Sequence, residues 1–207
     1  IIHGVILKFH LMNNWGVFTV KKELKEWIIA IAIALVLILL IYNFVAKSYT
    51  VRGDSMFPTL KDGEKVIVNV IGFKMGGLDK GNVIVFHADK ISDYVKRVIG
   101  TPGDSVEYKH DVLYVNGKKV KEPYLDYNEK HKSYDEITGT LQVKNLPNSD
   151  GTNKIPKGKL LVLGDNREVS KDSRSFGLIK EDQVVGKVSL RYWPLTKFKV
   201  NFNPAEN

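Results

Sequence analysis

Gly53-Asp54-Ser55-Met56-Phe57-Pro58-Thr59-Leu60 follows, after a few residues, the only long apolar run in the chain. Pro58 pushes Phe57 out of the α region and Gly53 lets the backbone approach its surroundings closely, so Ser55 is expected on a turn rather than inside a helix. Alone, such a serine is an ordinary loop residue. Two further stretches change its weight: Tyr94-Val95-Lys96-Arg97-Val98-Ile99-Gly100-Thr101-Pro102-Gly103-Asp104, and Gly164-Asp165-Asn166-Arg167-Glu168-Val169-Ser170-Lys171-Asp172-Ser173-Arg174.

Upstream of Ser55, the run from Trp27 to Ala46 contains Asn43 as its only strongly polar residue. Twenty helical residues rise about 30 Å, the thickness of a hydrocarbon core, so a transmembrane helix is expected over 27–46. Trp27 and Tyr42 stand near its ends, where amphipathic rings favour the interface. A cleavable signal peptide is the competing reading, but the run exceeds a usual apolar core and Phe44 is bulky where a small residue is wanted. Residues 1–26 are expected on the cytoplasmic side. Within them 1–19 form neither a charged leader nor a clear amphipathic helix, and translation is expected to begin at Val20.

Beyond the run, 47–207 read as one domain of mainly β, antiparallel architecture. Strands are expected over Lys65–Ile71, Asn82–Phe86, Tyr94–Ile99, Val112–Val115, Lys159–Leu163 and Gln183–Trp193, all rich in β-branched and aromatic residues. Asn116-Gly117 signals a two-residue hairpin, and Thr101-Pro102-Gly103-Asp104 suits a type II turn. The polar stretch 118–158 reads as an inserted lobe or lid.

Composition excludes several chemistries. The 207 residues include no cysteine, which removes disulfides, thiolate zinc sites and cysteine nucleophiles. Net charge is +8, but no basic helix or aromatic-basic repeat accompanies it, so an anionic membrane surface is a better expectation than nucleic acid. No paired-histidine spacing suggests a metal, and His87, His110 and His131 are framed by no motif that would make one of them a base for serine.

A lysine remains. On a strand, Tyr94, Lys96 and Val98 share one face while Val95, Arg97 and Ile99 share the other, so the strand carries bulky apolar groups on both sides and is expected to be covered on both. Burial favours the neutral amine that could take a proton from serine, helped by neighbouring positive charge. The bland reading is a lysine snorkelling off a strand edge. The third stretch is equally open: a turn after a strand, or a polar network beside a catalytic centre.

Taken together, in this order and behind one apolar segment, Gly-x-Ser-Met-x-Pro-Thr-Leu, Tyr-Val-Lys-Arg-Val-Ile-Gly-x-Pro-Gly-Asp and Gly-Asp-Asn-Arg-x-x-Ser-x-Asp-Ser-Arg resemble the bacterial type I signal peptidases. The likeness is to the short single-span form of Gram-positive, staphylococcus-like bacteria and runs from about Lys21 to Asn207. It implies an antiparallel β catalytic domain behind one N-terminal transmembrane helix, and a membrane-anchored serine endopeptidase that cuts signal peptides from exported preproteins after small residues, at Ala-x-Ala sites. Ser55 would be the nucleophile and Lys96 the general base. Ser170 would hydrogen-bond the lysine amine and orient it. Asp165, Asp172 and Arg174 would hold that corner of the site, with Arg97 structural on the opposite strand face. Val51, Gly53, Met56, Leu60, Tyr94 and Val95 would meet the substrate. No metal or organic cofactor is implied; the partners are preproteins near the secretion translocon and the lipid bilayer, not nucleic acid.

One departure concerns the oxyanion. Certain relatives carry a serine hydroxyl two residues before the nucleophile as a second donor, whereas this chain has Gly53. Gly53→Ser is accordingly expected to be tolerated. Two rival readings share parts of the pattern: a soluble, DNA-linked self-cleaving Ser/Lys protease of the SOS-repressor kind, which the apolar anchor disfavours, and a membrane-tethered β domain that binds without cutting, which would be expected to lack Ser55 or Lys96.

Overall fold

Valine, isoleucine and leucine alternate with polar residues through most of the chain after residue 45, and these runs form two antiparallel sheets. A computed structural model describes residues 23–38 and 46–204. Residues 23–38 form helix α1, whose apolar side chains, among them Trp27, Ile31, Leu35 and Ile38, are all exposed. Among the described residues no helix is long and apolar enough to cross a membrane. The expected span differs at both ends: α1 begins before Trp27, and Ala46, placed at the end of the span, opens strand β1 (Ala46–Thr50) by pairing with Asn69. The expectations for 1–22 and 39–45 lie outside the described residues.

The larger sheet contains β1, β2 (Lys65–Asn69), β3 (Val83–His87), β4 (Asp93–Gly100), β9 (Lys159–Leu163), β10 (Ile179–Lys180), β11 (Val184–Trp193) and β12 (Lys199–Val200). Its order is β1-β2-β11-β3-β4-β9-β10, with β12 on β11, and every pairing is antiparallel. The smaller sheet runs β7-β6-β5-β8, from β5 (Val106–Lys109), β6 (Val112–Val115), β7 (Lys118–Val120) and β8 (Leu141–Gln142). Helices α2 (Gly72–Gly76), α3 (Asp126–Lys130) and α4 (Ser173–Phe176) are one turn each.

Both turns expected from sequence have the backbone they require. Asn116 and Gly117 adopt φ of 52° and 77° between paired Val115 and Lys118. Gly103 sits at φ 87° in a turn closed by Asp104 N–H donating to Thr101 O at 3.0 Å. Six of the strands lie outside the expected ones: β1, β5, the exposed, lysine-bearing β7, and the two-residue β8, β10 and β12.

The stretch 118–158, expected as an inserted lobe or lid, is part of a longer insertion. Strands β4 and β9 are direct neighbours through Arg97↔Leu163 and Val98↔Val162, so the insertion is all of 101–158. It has its own core, in which Val106, Tyr108, Leu113, Leu141, Val143 and Ile155 pack against Ile99, Leu161 and Leu163 of the large sheet. Burial of these side chains, at about 1.5–3 kcal/mol each, fixes the insertion to β4 and β9 of the large sheet.

Candidate active site

Ser55 stands on the loop between β1 and β2, and the loop is pinned on either side of it. Val51 exchanges backbone hydrogen bonds with the loop's far end, its N–H donating to Glu64 O at 2.8 Å and its C=O accepting from Gly63 N–H at 3.0 Å. Met56 and Leu60 are fully buried among Val51, Val66, Val68 and Val85. This corrects the expectation that Met56 and Leu60 wall the substrate groove: the turn points them down into the core, where they anchor the serine from below. Gly53 lies at φ +73° with its N–H donating to Asp62 Oδ1 at 2.7 Å, a left-handed conformation that favours glycine.

Lys96 approaches from β4. Its Nζ lies 2.8 Å from Ser55 Oγ and donates to Val95 O at 2.9 Å, and the residue is 3% exposed. Burial lowers the amine pKa from 10.5 to about 8, against the opposing pull of Asp172 and Asp165. The sequence argument invoked neighbouring positive charge as the helper. Instead the groups that act on the amine are acidic and oppose the shift, so desolvation alone produces it. The Tyr94 ring lies 5.3 Å from the same nitrogen.

The third stretch closes over the serine. Asn166 N–H donates to Ser55 O at 3.0 Å, and a side chain on Gly164 would collide with Ser55 O and with Ser170 Oγ. Glycine at 164 is therefore what allows the two loops to touch. Ser170 does not reach the lysine as expected: its Oγ is buried without a hydrogen-bond partner, packed against Gly164, while the Lys96 amine is engaged by Ser55 and Val95.

Behind the dyad, two buried guanidinium groups fix the loops. Arg97 donates to Asp165 through Nε at 2.8 Å and Nη2 at 2.6 Å, and through Nη1 to Gly81 O and Phe202 O at 2.7 Å each. Tyr124 stacks on its face at 3.9 Å. Asp172 caps α4 and accepts from Gly164 N–H at 3.0 Å and from Arg174 Nε at 2.9 Å.

Sequence reading assigned no role to Arg167, Glu122 or Asn128. Arg167 is buried and donates to Gly164 O at 2.8 Å and to Glu122 Oε1 at 2.7 Å; the same oxygen accepts from Tyr108 at 2.8 Å and Tyr124 at 2.7 Å. Asn128 donates to Phe57 O and Asp165 O, both at 2.9 Å, tying the serine loop to the third stretch from the insertion. Arg167 lay inside a quoted motif. Glu122 and Asn128 had no local signal, because their partners are remote in sequence.

An open groove of about 1220 Å³ runs along the dyad, and Val51, Gly53, Tyr94 and Val95 line it together with Ser55 and Lys96. Its two sides are strands with unpaired backbone. β1 is an edge of the sheet, and β4 pairs with β9 only from Arg97 onward, which leaves Asp93–Lys96 open on that side. Among the described residues no cluster of His, Cys, Asp and Glu could hold a metal ion. The arrangement offers a hydroxyl against a partly deprotonated amine beside a slot for an extended peptide, the parts needed for acyl transfer.

Comparison with known proteins gives a consistent result. Residues 24–193 match the family model described as "Signal peptidase, peptidase S26". Signal peptidase IB of Staphylococcus aureus is 69% identical over 185 residues, covering 89% of this chain and 97% of that protein. Signal peptidase I of Bacillus caldolyticus is 46% identical over 188 residues, covering 89% and 100%. A crystal structure of signal peptidase I from Enterococcus faecalis V583 superposes with a TM-score of 0.50 at 34% identity, covering 54% of this chain and 97% of that one.

Proposed function

The chain belongs to the signal peptidase family, peptidase S26, a serine endopeptidase that cleaves signal peptides, and from that premise we propose that Ser55 and Lys96 form its catalytic dyad. The observation that carries this is the 2.8 Å contact between Ser55 Oγ and a lysine amine that burial holds near pKa 8. At pH 7 about a tenth of such an amine is neutral, and a peptide covering the groove removes more water and enlarges that fraction.

In acylation the Ser55 hydroxyl proton passes to Lys96 Nζ as Oγ bonds to the scissile carbonyl carbon. The resulting oxyanion is held by the backbone N–H of Ser55. Collapse breaks the C–N bond, and the leaving amine takes the proton back from Lys96. Water then attacks the ester carbonyl carbon, giving a proton to the now neutral Lys96 Nζ; the bond from that carbon to Ser55 Oγ breaks, Oγ takes the proton back from Lys96, and the signal peptide departs with a free carboxyl group. Arg97, Asp165, Asp172, Arg174 and Arg167 keep the loops in register without touching the reacting atoms, and Ser170 packs behind the serine.

The substrate lies extended between the open edges of β1 and β4, adding backbone hydrogen bonds to both. Val51 and Val95 make a shallow apolar floor that suits small residues at the first and third positions before the cut, as in Ala-x-Ala, while Tyr94 lines the groove from the other face of β4. The apolar run from Trp27 anchors the enzyme in the cytoplasmic membrane, with the N-terminal side inside and 47–207 outside near the translocon. Tethering beside a membrane-embedded signal raises its effective concentration. The test is cleavage of an Ala-x-Ala preprotein by the wild type, Ser55→Ala and Lys96→Ala, with product masses. Cutting after alanine by the wild type alone is expected. A folded variant that keeps full activity would refute the dyad.

A further inference from the structure

The groove is layered along its length. Side chains two apart in extended chain share a face, so Tyr49 on β1 and Val51 just beyond it line the groove together, as do Asp93 and Val95 on β4. Register adds the next strand: His87 is opposite Asp93, and Val85 opposite Val95. Beside the dyad comes an apolar layer, in which Tyr49 and Val95 pack against buried Val51, Val66 and Val85. Beyond it comes a polar layer, in which His87 Nδ1 lies 2.6 Å from Asp93 Oδ1 and the Tyr49 hydroxyl, its pKa raised by burial and by the nearby Asp93 carboxylate, lines the same groove. β1 and β4 are not neighbours in the sheet, so Tyr49 and Asp93 line the groove from its two sides.

We infer that Asp93, paired with His87 and facing the groove, is a specificity-determining residue that excludes apolar side chains from the fifth position before the cut and so reads where the apolar segment of a signal peptide ends. The inference rests on the protease reading above. An extended substrate advances about 3.3 Å per residue and turns alternate side chains to the same face. With the first and third residues over the dyad and the apolar layer, the fifth faces Asp93, while the fourth and sixth face away. An apolar side chain at the fifth position strips water from the carboxylate and returns no hydrogen bond. A polar one donates to it or leaves its water in place. Asp93 has acceptor capacity to spare, since a carboxylate offers about four lone-pair sites and His87 takes one of them.

The test uses the full chain in detergent and three Ala-x-Ala substrates that carry Ser at the fifth position, Leu at the fifth, or Leu at the sixth. For the wild type, kcat/KM is expected to be roughly tenfold lower with Leu at the fifth position, carried by KM, and to change less than about threefold with Leu at the sixth. In Asp93→Val the penalty for Leu at the fifth position should fall to within about twofold, and in Asp93→Asn, which keeps an acceptor for His87, it should fall part of the way. Equal cleavage of all three substrates by the wild type, an equal penalty at the fifth and sixth positions, or an undiminished penalty in both variants overturns the inference while leaving the protease reading intact. Failure of the wild type to cut any of the three overturns both.

Discussion

Arg97 grips the carboxylate of Asp165 through two parallel hydrogen bonds of 2.8 and 2.6 Å, with both side chains sealed from solvent. The residue before Arg97 is the proposed base, and the residue before Asp165 is the glycine that touches the serine loop. The fork therefore sets the distance between two of the three catalytic stretches. Removing one partner leaves an uncompensated buried charge, so Arg97→Ala or Asp165→Ala is expected to cost about 3–5 kcal/mol. Arg97→Met with Asp165→Leu should cost less than either alone, and thermal unfolding of the four proteins in detergent measures the difference. Lysine at 97 cannot reproduce the fork and should also destabilise.

The Lys96 amine must be neutral to accept the serine proton, and burial places its pKa at about 8. The rate should therefore rise with pH, with kcat/KM against pH inflecting near 8 in the free enzyme. Lys96→Arg, which stays protonated throughout, should be inactive at every pH tested. A profile that is flat from pH 6 to 9 would contradict the lysine as base.

The same burial makes the dyad a local cost to folding. Because the folded pKa of about 8 lies below the amine's ordinary value of 10.5, the protonated amine is penalised in the native state by about 3 kcal/mol. That penalty is complete below pH 8 and disappears as pH rises from 8 through 10.5, where the unfolded chain alone still binds the proton. Lys96→Met should then abolish cleavage yet raise stability at pH 7 by about 2–3 kcal/mol, with the advantage shrinking above pH 8. Melting curves of wild type and variant at pH 7 and pH 10 test both the sign and the window.

The strand framework was legible because burial wrote it into the chain: Val112–Val115 and Lys159–Leu163 stand where their β-branched and leucine runs ended. β1 was hidden because Ala46 continues an apolar run without a break, and β7 because Lys118–Val120 is fully exposed and gives no alternation to read. The meeting of Ser55 with Lys96 was implied by the resemblance, since the scarcity of other bases left the lysine open between a base and a side chain snorkelling off a strand edge. The roles of Met56 and Leu60 were not legible, since a loop residue next to a nucleophile can point toward substrate or core and only the turn decides. Glu122 and Asn128 act through partners dozens of residues away, a relation no local pattern encodes.

Gly53 joins the fold to the oxyanion question. At φ +73° a serine would be strained, although no atom lies within 4 Å of where its Cβ would be. The strain costs on the order of 1 kcal/mol, so Gly53→Ser and Gly53→Ala should lose similar stability, visible as similar drops in melting temperature. Both should still cleave a preprotein, because the backbone N–H of Ser55 remains and the bond from Gly53 N–H to Asp62 involves no side chain at 53. Their activities should separate: a hydroxyl that reaches the oxyanion raises kcat for serine above alanine, and one donor of this kind is worth up to about 3–4 kcal/mol. Equal kcat for the two variants would show that the space above Gly53 points away from the tetrahedral centre. Loss of cleavage by both, with the fold retained, would show that the left-handed turn itself, rather than any donor, holds Ser55 against Lys96.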